Sequence, residues 1–178
     1  MATGFRSAGL RGGLWLLLGG WLGAWFLFAF SVAPTAFQSL PTELAGSVVD
    51  PVIASLHFYG AAAGIVLFGI GRSLGRGLWH QLLPLLMAAL CLGSELILTP
   101  QIDQLRALTF GPGATLEATA RWWRLHGFSM AIYTTVGVLA MALVGLHAWS
   151  DAVGAEAPRD GPIGANPAKN RVESQKNA

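Results

Sequence analysis

The sequence predicts an all-α protein, a bundle of four transmembrane helices with both termini cytoplasmic, and three observations carry that expectation. Of its 178 residues, 53% are hydrophobic and 11% charged, too few polar groups to cover a soluble surface. No charged residue occurs between Arg11 and Glu43, between Asp50 and Arg72, or between Arg124 and Asp151, so these stretches have no polar helix face to give to water. Lys and Arg concentrate in three segments, the N-terminus, the turn at 72–79 and the tail, which hold eight of the 11; the positive-inside bias puts all three in the cytoplasm.

The first span is expected at about 12–33, closed by Pro34; at 1.5 Å per residue it reaches about 33 Å, enough for the hydrocarbon core. It is too long for a cleavable signal peptide, so residues 1–11 are read as a cytoplasmic N-terminus and the helix as uncleaved. The second span is expected at about 51–71, with Pro41, Thr42, Glu43 and Leu44 resembling a helix first turn outside the membrane. A short turn leads to the third span, about 80–99. The long loop 100–126 is broken at Gly111-Pro112-Gly113, after which Thr115 is placed to cap a helix running into the fourth span, about 127–149. Residues 12–150 thus form the membrane domain, and 151–178, poor in large apolar residues, a disordered cytoplasmic tail. Trp15, Trp79 and Trp149 fall at the inner interface and Trp122 and Trp123 at the outer one, where indoles settle. The expected location is the cell membrane, a bacterial inner membrane, with the lipid bilayer as the certain partner.

Nucleic acid is excluded as a partner: the net charge of +2 comes from scattered residues with no basic patch. Cys91 is the only cysteine, so there is neither an internal disulfide nor a zinc site built on Cys pairs. There is no HExxH or P-loop, which counts against metal- or nucleotide-dependent hydrolysis and makes a non-enzyme the preferred expectation.

The polar residues within the spans are more informative. A carboxylate in mid-membrane costs about 2.5–3.5 kcal/mol, and the nine Leu and Ile residues around Glu95 offset it at roughly 0.3–0.6 kcal/mol each. His57, Gly60, Ala61 and Gly64 share one helix face; Ala88, Cys91, Glu95 and Thr99 share another; His126, Ser129, Tyr133, Gly137 and Ala140 a third. Counting from Pro51 and Pro100, His57 and Glu95 lie about 7–9 Å inside the outer boundary. His57, Glu95, His126, Ser129 and Tyr133 are therefore the candidate binding residues, in the outer half of the bundle, with Asp103, Arg106, Arg121 and Arg124 around the mouth. Plain interhelical hydrogen bonding accounts for the same residues and is the simpler reading of them. The Gly19/Gly23 and Gly60/Gly64 pairs are helix-packing signals.

The string Phe30-Ser31-Val32-Ala33-Pro34-Thr35-Ala36-Phe37-Gln38-Ser39-Leu40-Pro41, the Leu98-Thr99-Pro100 exit and Leu125-His126-Gly127-Phe128-Ser129 together resemble the transmembrane protein 205-like family. The resemblance implies a compact four-helix membrane protein of undefined molecular function. It marks Pro34, Phe37, Pro100, His126 and Ser129 as family-like positions without giving them a chemical role; Tyr133 stands where the family pattern suggests asparagine.

Three classes of function remain open. One is binding or transport of a small ligand or ion by an outward-facing polar cluster. Another is a haem- or copper-binding oxidoreductase, since His57, His126 and Glu95 are feasible ligands, although no HxxxH pair or Cys motif supports them and the metal and cofactor stay unknown. The third is a non-catalytic assembly partner, of a membrane protein or of a second copy of the chain.

Overall fold

The computed structural model describes residues 2–156, and the expected tail beyond Glu156 lies outside them. The chain divides into two units, Met1–His147 and Ala148–Ala178. In the second unit the described part is the C-terminal end of the last helix.

Six α-helices follow in order: α1 (Ala2–Leu27), α2 (Ala33–Ser39), α3 (Thr42–Ser73), α4 (Leu78–Gly93), α5 (Thr99–Phe110) and α6 (Leu116–Glu156). A π-helical turn, Phe28–Val32, joins α1 to α2, and a second, Ser94–Leu98, joins α4 to α5. The result is four continuous rods long and apolar enough to cross a membrane: Phe5–Ser39, Thr42–Ser73, Leu78–Phe110 and Leu116–Val153. Among the described residues there is no strand.

Both π turns end just before a proline. In each, the N–H after the turn reaches back five residues, from Ala33 to the Phe28 carbonyl and from Thr99 to the Ser94 carbonyl. Pro34 and Pro100 follow as first-turn residues of α2 and α5. A proline in an unbroken helix loses one hydrogen bond and presses its ring on the carbonyl four residues back; the widened turn takes up that clash and lets the rod continue. The helices therefore run past the boundaries that hydropathy marks, because hydropathy reports where lipid begins and the backbone has no reason to stop there. The same holds at 116–126, where the Thr115 hydroxyl accepts the Ala118 N–H at 3.2 Å and α6 starts eleven residues before the expected span. It also holds at Asp151–Glu156, which is helix rather than tail.

Each rod buries a narrow stripe. On α1 it is Leu14, Leu18, Trp21, Trp25 and, just beyond, Phe28; on α6 it is Tyr133, Val136, Ala140, Leu143 and His147. Alternating steps of three and four residues keep one seam inward along a left-handed bundle. The opposite faces stay bare of protein: Leu16 is 80% and Phe30 75% exposed, which in a bilayer is contact with lipid chains.

The tightest approach is between α3 and α4. A β-carbon added at Gly64 would meet the Pro84 carbonyl oxygen at 2.5 Å and the Ala88 β-carbon at 3.0 Å, and one at Gly71 the His80 carbonyl at 3.1 Å. Gly60 instead receives the Trp21 ring, 2.7 Å from where its β-carbon would stand. Gly19 and Gly23, expected to mediate packing as well, meet nothing within 4 Å, since α1 packs through its bulky stripe and turns these glycines outward. Gly75, at φ +63, makes the turn between α3 and α4.

Candidate functional site

The five expected binding residues separate into two groups. The first is a buried pair. The His57 imidazole on α3 is 1% exposed, and its Nδ1 lies 3.1 Å from Glu95 Oε2 on the second π turn. His57 Nε2 and the neighbouring Ser94 Oγ are buried without a hydrogen-bond partner. This contact ties α3 to the third rod at the point where that rod changes helical pitch, and it answers how a carboxylate is tolerated within the span.

The second group opens on a cavity of about 600 Å³ at the end of the bundle where α2, α5 and the beginnings of α3 and α6 meet. His126, Ser129 and Tyr133 line one wall, and Pro34 and Phe37 from α2 face it. Neither His57 nor Glu95 contributes to the lining. Of the family-like positions only Pro100 stays outside, exposed at the start of α5. The two groups are linked through Trp25. Its ring stacks on Tyr133 at 4.0 Å and 9°, and lies 5.9 Å from the His57 ring, while the Tyr133 hydroxyl donates to the Trp25 carbonyl at 2.8 Å. Gly137 makes room for that indole, whose Nε1 would be 3.1 Å from an added β-carbon.

The cavity wall is apolar deep down, with Phe28, Ile53 and Ile102, and charged at the rim, with Glu43, Asp50, Asp103 and Arg106. Arg106 Nη2 is paired with Asp50 across α5 and α3, and lies 3.7 Å from Asp103 one turn back on its own helix. Its other terminal nitrogen passes Gly46, where an added β-carbon would stand 3.5 Å away. Two carboxylates thus share one guanidinium, and Glu43 lines the same cavity.

Two of these residues escaped the sequence argument. Asp50 lies on α3, one turn past Gly46 and facing Arg106; the first turn read at Pro41 to Leu44 already puts it on a helix, but nothing in the sequence says which residue stands opposite. Trp122 was expected in an interfacial aromatic belt but is only 8% exposed. It stacks on His126 at 4.8 Å and 8°, with Phe110 and Trp123 edge-on at 5.1 and 4.9 Å. Its indole N–H is buried with no acceptor. Spacing offered a signal in this case, because Trp122, His126, Ser129 and Tyr133 lie at i, i+4, i+7 and i+11 on one helix face. Trp123, by contrast, is 58% exposed.

Among the described residues, no group of three or more His, Cys, Asp or Glu side chains could hold a metal ion. The ligand set of His57, Glu95 and His126 is not assembled, because His57 and Glu95 face each other in the bundle while His126 stacks on Trp122 at the cavity. Cys91 is buried as an apolar packing residue.

Fold and site define a four-helix membrane protein with a lipid-facing exterior and a part-polar cavity at one end. The chain belongs to the family described as domain of unknown function DUF4149, whose model matches residues 16–110. It is similar to an uncharacterized protein of Aquifex aeolicus (strain VF5), 33% identical over 130 residues, covering 72% of this chain and 89% of that protein. No solved structure matches.

Proposed function

We propose that this protein is a non-catalytic membrane protein that binds a small amphipathic ligand in the cavity between its helix ends, with His126, Ser129 and Tyr133 as contact residues. The observation that carries the proposal is the cavity: its 600 Å³ falls in the range of small-molecule sites, and its apolar depth and polar rim have the usual make-up of one. His57 and Glu95 position the wall from behind, through Trp25. In this reading the resemblance to the transmembrane protein 205-like family extends to the cavity, since Pro34, Phe37, His126 and Ser129 line it together.

The cavity end faces away from the cytoplasm. The charge distribution supports this, for the turn between α3 and α4 carries Arg72 and Arg76 at the opposite end, and the expected location is the bacterial inner membrane. Because Cys91 is buried, single cysteines introduced at Arg76 and Gly113 report orientation with a membrane-impermeant maleimide. Labelling of the position-113 cysteine in intact cells, with the position-76 cysteine protected, is the expected result; the reverse would overturn the orientation.

Ligand binding is tested by photolabelling membranes with an alkyl chain bearing a terminal ammonium and a diazirine. Adducts should concentrate on α2, α5 and the first turns of α6. Adducts spread over the outward faces that carry Leu16 and Ile65, with none at the cavity, would sink the reading.

A further inference from the structure

The rim and wall of the cavity make a specific chemical demand, and the following inference rests on the cavity being the ligand site. Phe28, Ile53, Ile102 and Met130 exclude an inorganic ion or a sugar as the sole occupant, because nothing polar could use that wall. Glu43, Asp50 and Asp103 outnumber Arg106 at the rim, and Arg106 is already held by two of them. A ligand with net negative charge would meet more repulsion than attraction there. A simple cation does not suit the site either. It would leave unused the Arg106 nitrogen that lies along Gly46, and it has no acceptor to offer the indole N–H of Trp122, buried in the same lining without one. Donors for an anionic oxygen stand among acceptors for an ammonium, above an apolar wall and at a depth where interfacial residues sit.

We propose that the cavity holds a zwitterionic phospholipid with a primary-ammonium headgroup. The phosphate oxygens accept from Arg106 and the ammonium donates to Glu43 and Asp103. The first part of an acyl chain lies along the apolar wall, and the remaining chain stays in the bilayer. A primary ammonium fits better than a quaternary one because carboxylates accept N–H hydrogen bonds, which a trimethylammonium cannot supply.

The test uses the full chain in a neutral maltoside detergent and follows tryptophan fluorescence during titration with dihexanoyl phosphatidylethanolamine, dihexanoyl phosphatidylglycerol and O-phosphoethanolamine. The ethanolamine lipid should bind at least tenfold more tightly than the glycerol lipid, and the chainless phosphoamine should show no saturable binding. Glu43→Gln combined with Asp103→Asn should abolish the preference between the two lipids, whereas Arg106→Gln should weaken both about tenfold. Ser129→Trp, which fills the cavity, should abolish binding; Ala33→Trp on the facing wall replaces it if that variant elutes as an aggregate.

Equal or tighter binding of phosphatidylglycerol, still lost in the filled variant, would overturn the headgroup assignment and leave the cavity as a ligand site. Binding of O-phosphoethanolamine as tight as that of the lipid would also overturn it, in favour of a soluble phosphoamine. Lipid binding that persists in both filled variants, or no binding of any probe, would overturn the assignment together with the cavity reading beneath it.

Discussion

The two ends of this bundle solve the packing problem in opposite ways. Toward the arginine-bearing turn, α3 and α4 meet backbone to backbone, with Gly64 against the Pro84 carbonyl and Gly71 against that of His80. Toward the cavity, rings come between the rods: Trp25 on Tyr133, Phe110 on Trp122, and Trp122 on His126. In lipid there is little hydrophobic gain from bringing helices together, so close dispersion contact and satisfied polar groups must do it. The glycine end gains the closer contact and leaves no room. The ring end leaves a hollow, and the polar residues that open on it are the ones available to a ligand.

The comparison breaks most severely at Gly64. Gly64→Val places branched carbons where the Pro84 carbonyl and the Ala88 methyl already stand, and neither can move without displacing α4. Overpacking of this kind costs about 3 kcal/mol. The expected outcome is loss of a monodisperse peak on size exclusion and a lowered unfolding midpoint. A variant as stable as the parent would show that the two helices do not approach this closely. Gly23→Val, at an outward glycine with nothing within 4 Å, should leave the midpoint unchanged and serves as the control.

Next in size is the buried pair. Glu95→Leu leaves His57 Nδ1 without its partner in a site 1% exposed, and an orphaned buried polar group costs about 1–3 kcal/mol. Adding His57→Phe removes the orphan, so the double variant should be more stable than the sum of the single losses predicts. A strictly additive cycle, read from unfolding midpoints in detergent, would show that the pair is not coupled.

The contrast between the ends also governs how much was legible in the sequence. Four spans follow from where charges are missing, because the bilayer imposes that pattern on any sequence that crosses it. Inward faces are readable where small residues recur, as at His57, Gly60, Ala61 and Gly64, all of them buried. Depth and company are harder to read. His57 and Glu95 come out at one level by counting from Pro51 and Pro100, and they do meet. The same count puts His126 at the outer boundary, and it lies at the cavity, stacked on Trp122; counting along a helix gives height and says nothing of which neighbour stands opposite. The π turns were invisible too: each inserts a residue whose only sequence trace is a proline two positions past its end. Asp50 was hidden for the same reason, since the helix start near Thr42 is readable and the opposing Arg106 on α5 is not.

A smaller effect sharpens the picture at the ring end. Tyr133→Phe keeps the stack on Trp25 and removes only the hydroxyl that donates to its carbonyl at 2.8 Å. The loss should be about 1 kcal/mol. If the ring is the spacer and the hydrogen bond only fixes its rotation, Tyr133→Leu should cost clearly more, since it also removes the stacked surface. Equal midpoints for the two variants would show that the hydroxyl, and not the ring, holds α6 to α1.

The smallest effect on stability is expected at the rim. Arg106 and Asp50 are both about a third or more exposed, at 34% and 42%, where an ion pair contributes under about 1 kcal/mol and is screened by salt. Arg106→Gln should therefore shift the unfolding midpoint by no more than a degree or two while weakening binding at the cavity. That separation between stability and binding is what distinguishes a ligand rim from a structural clamp. If Arg106→Gln destabilised the protein as much as Glu95→Leu, the guanidinium would belong with the buried pair as a strut of the bundle. The cavity would then be a gap that the strut holds open, and its charged rim would need no ligand to explain it.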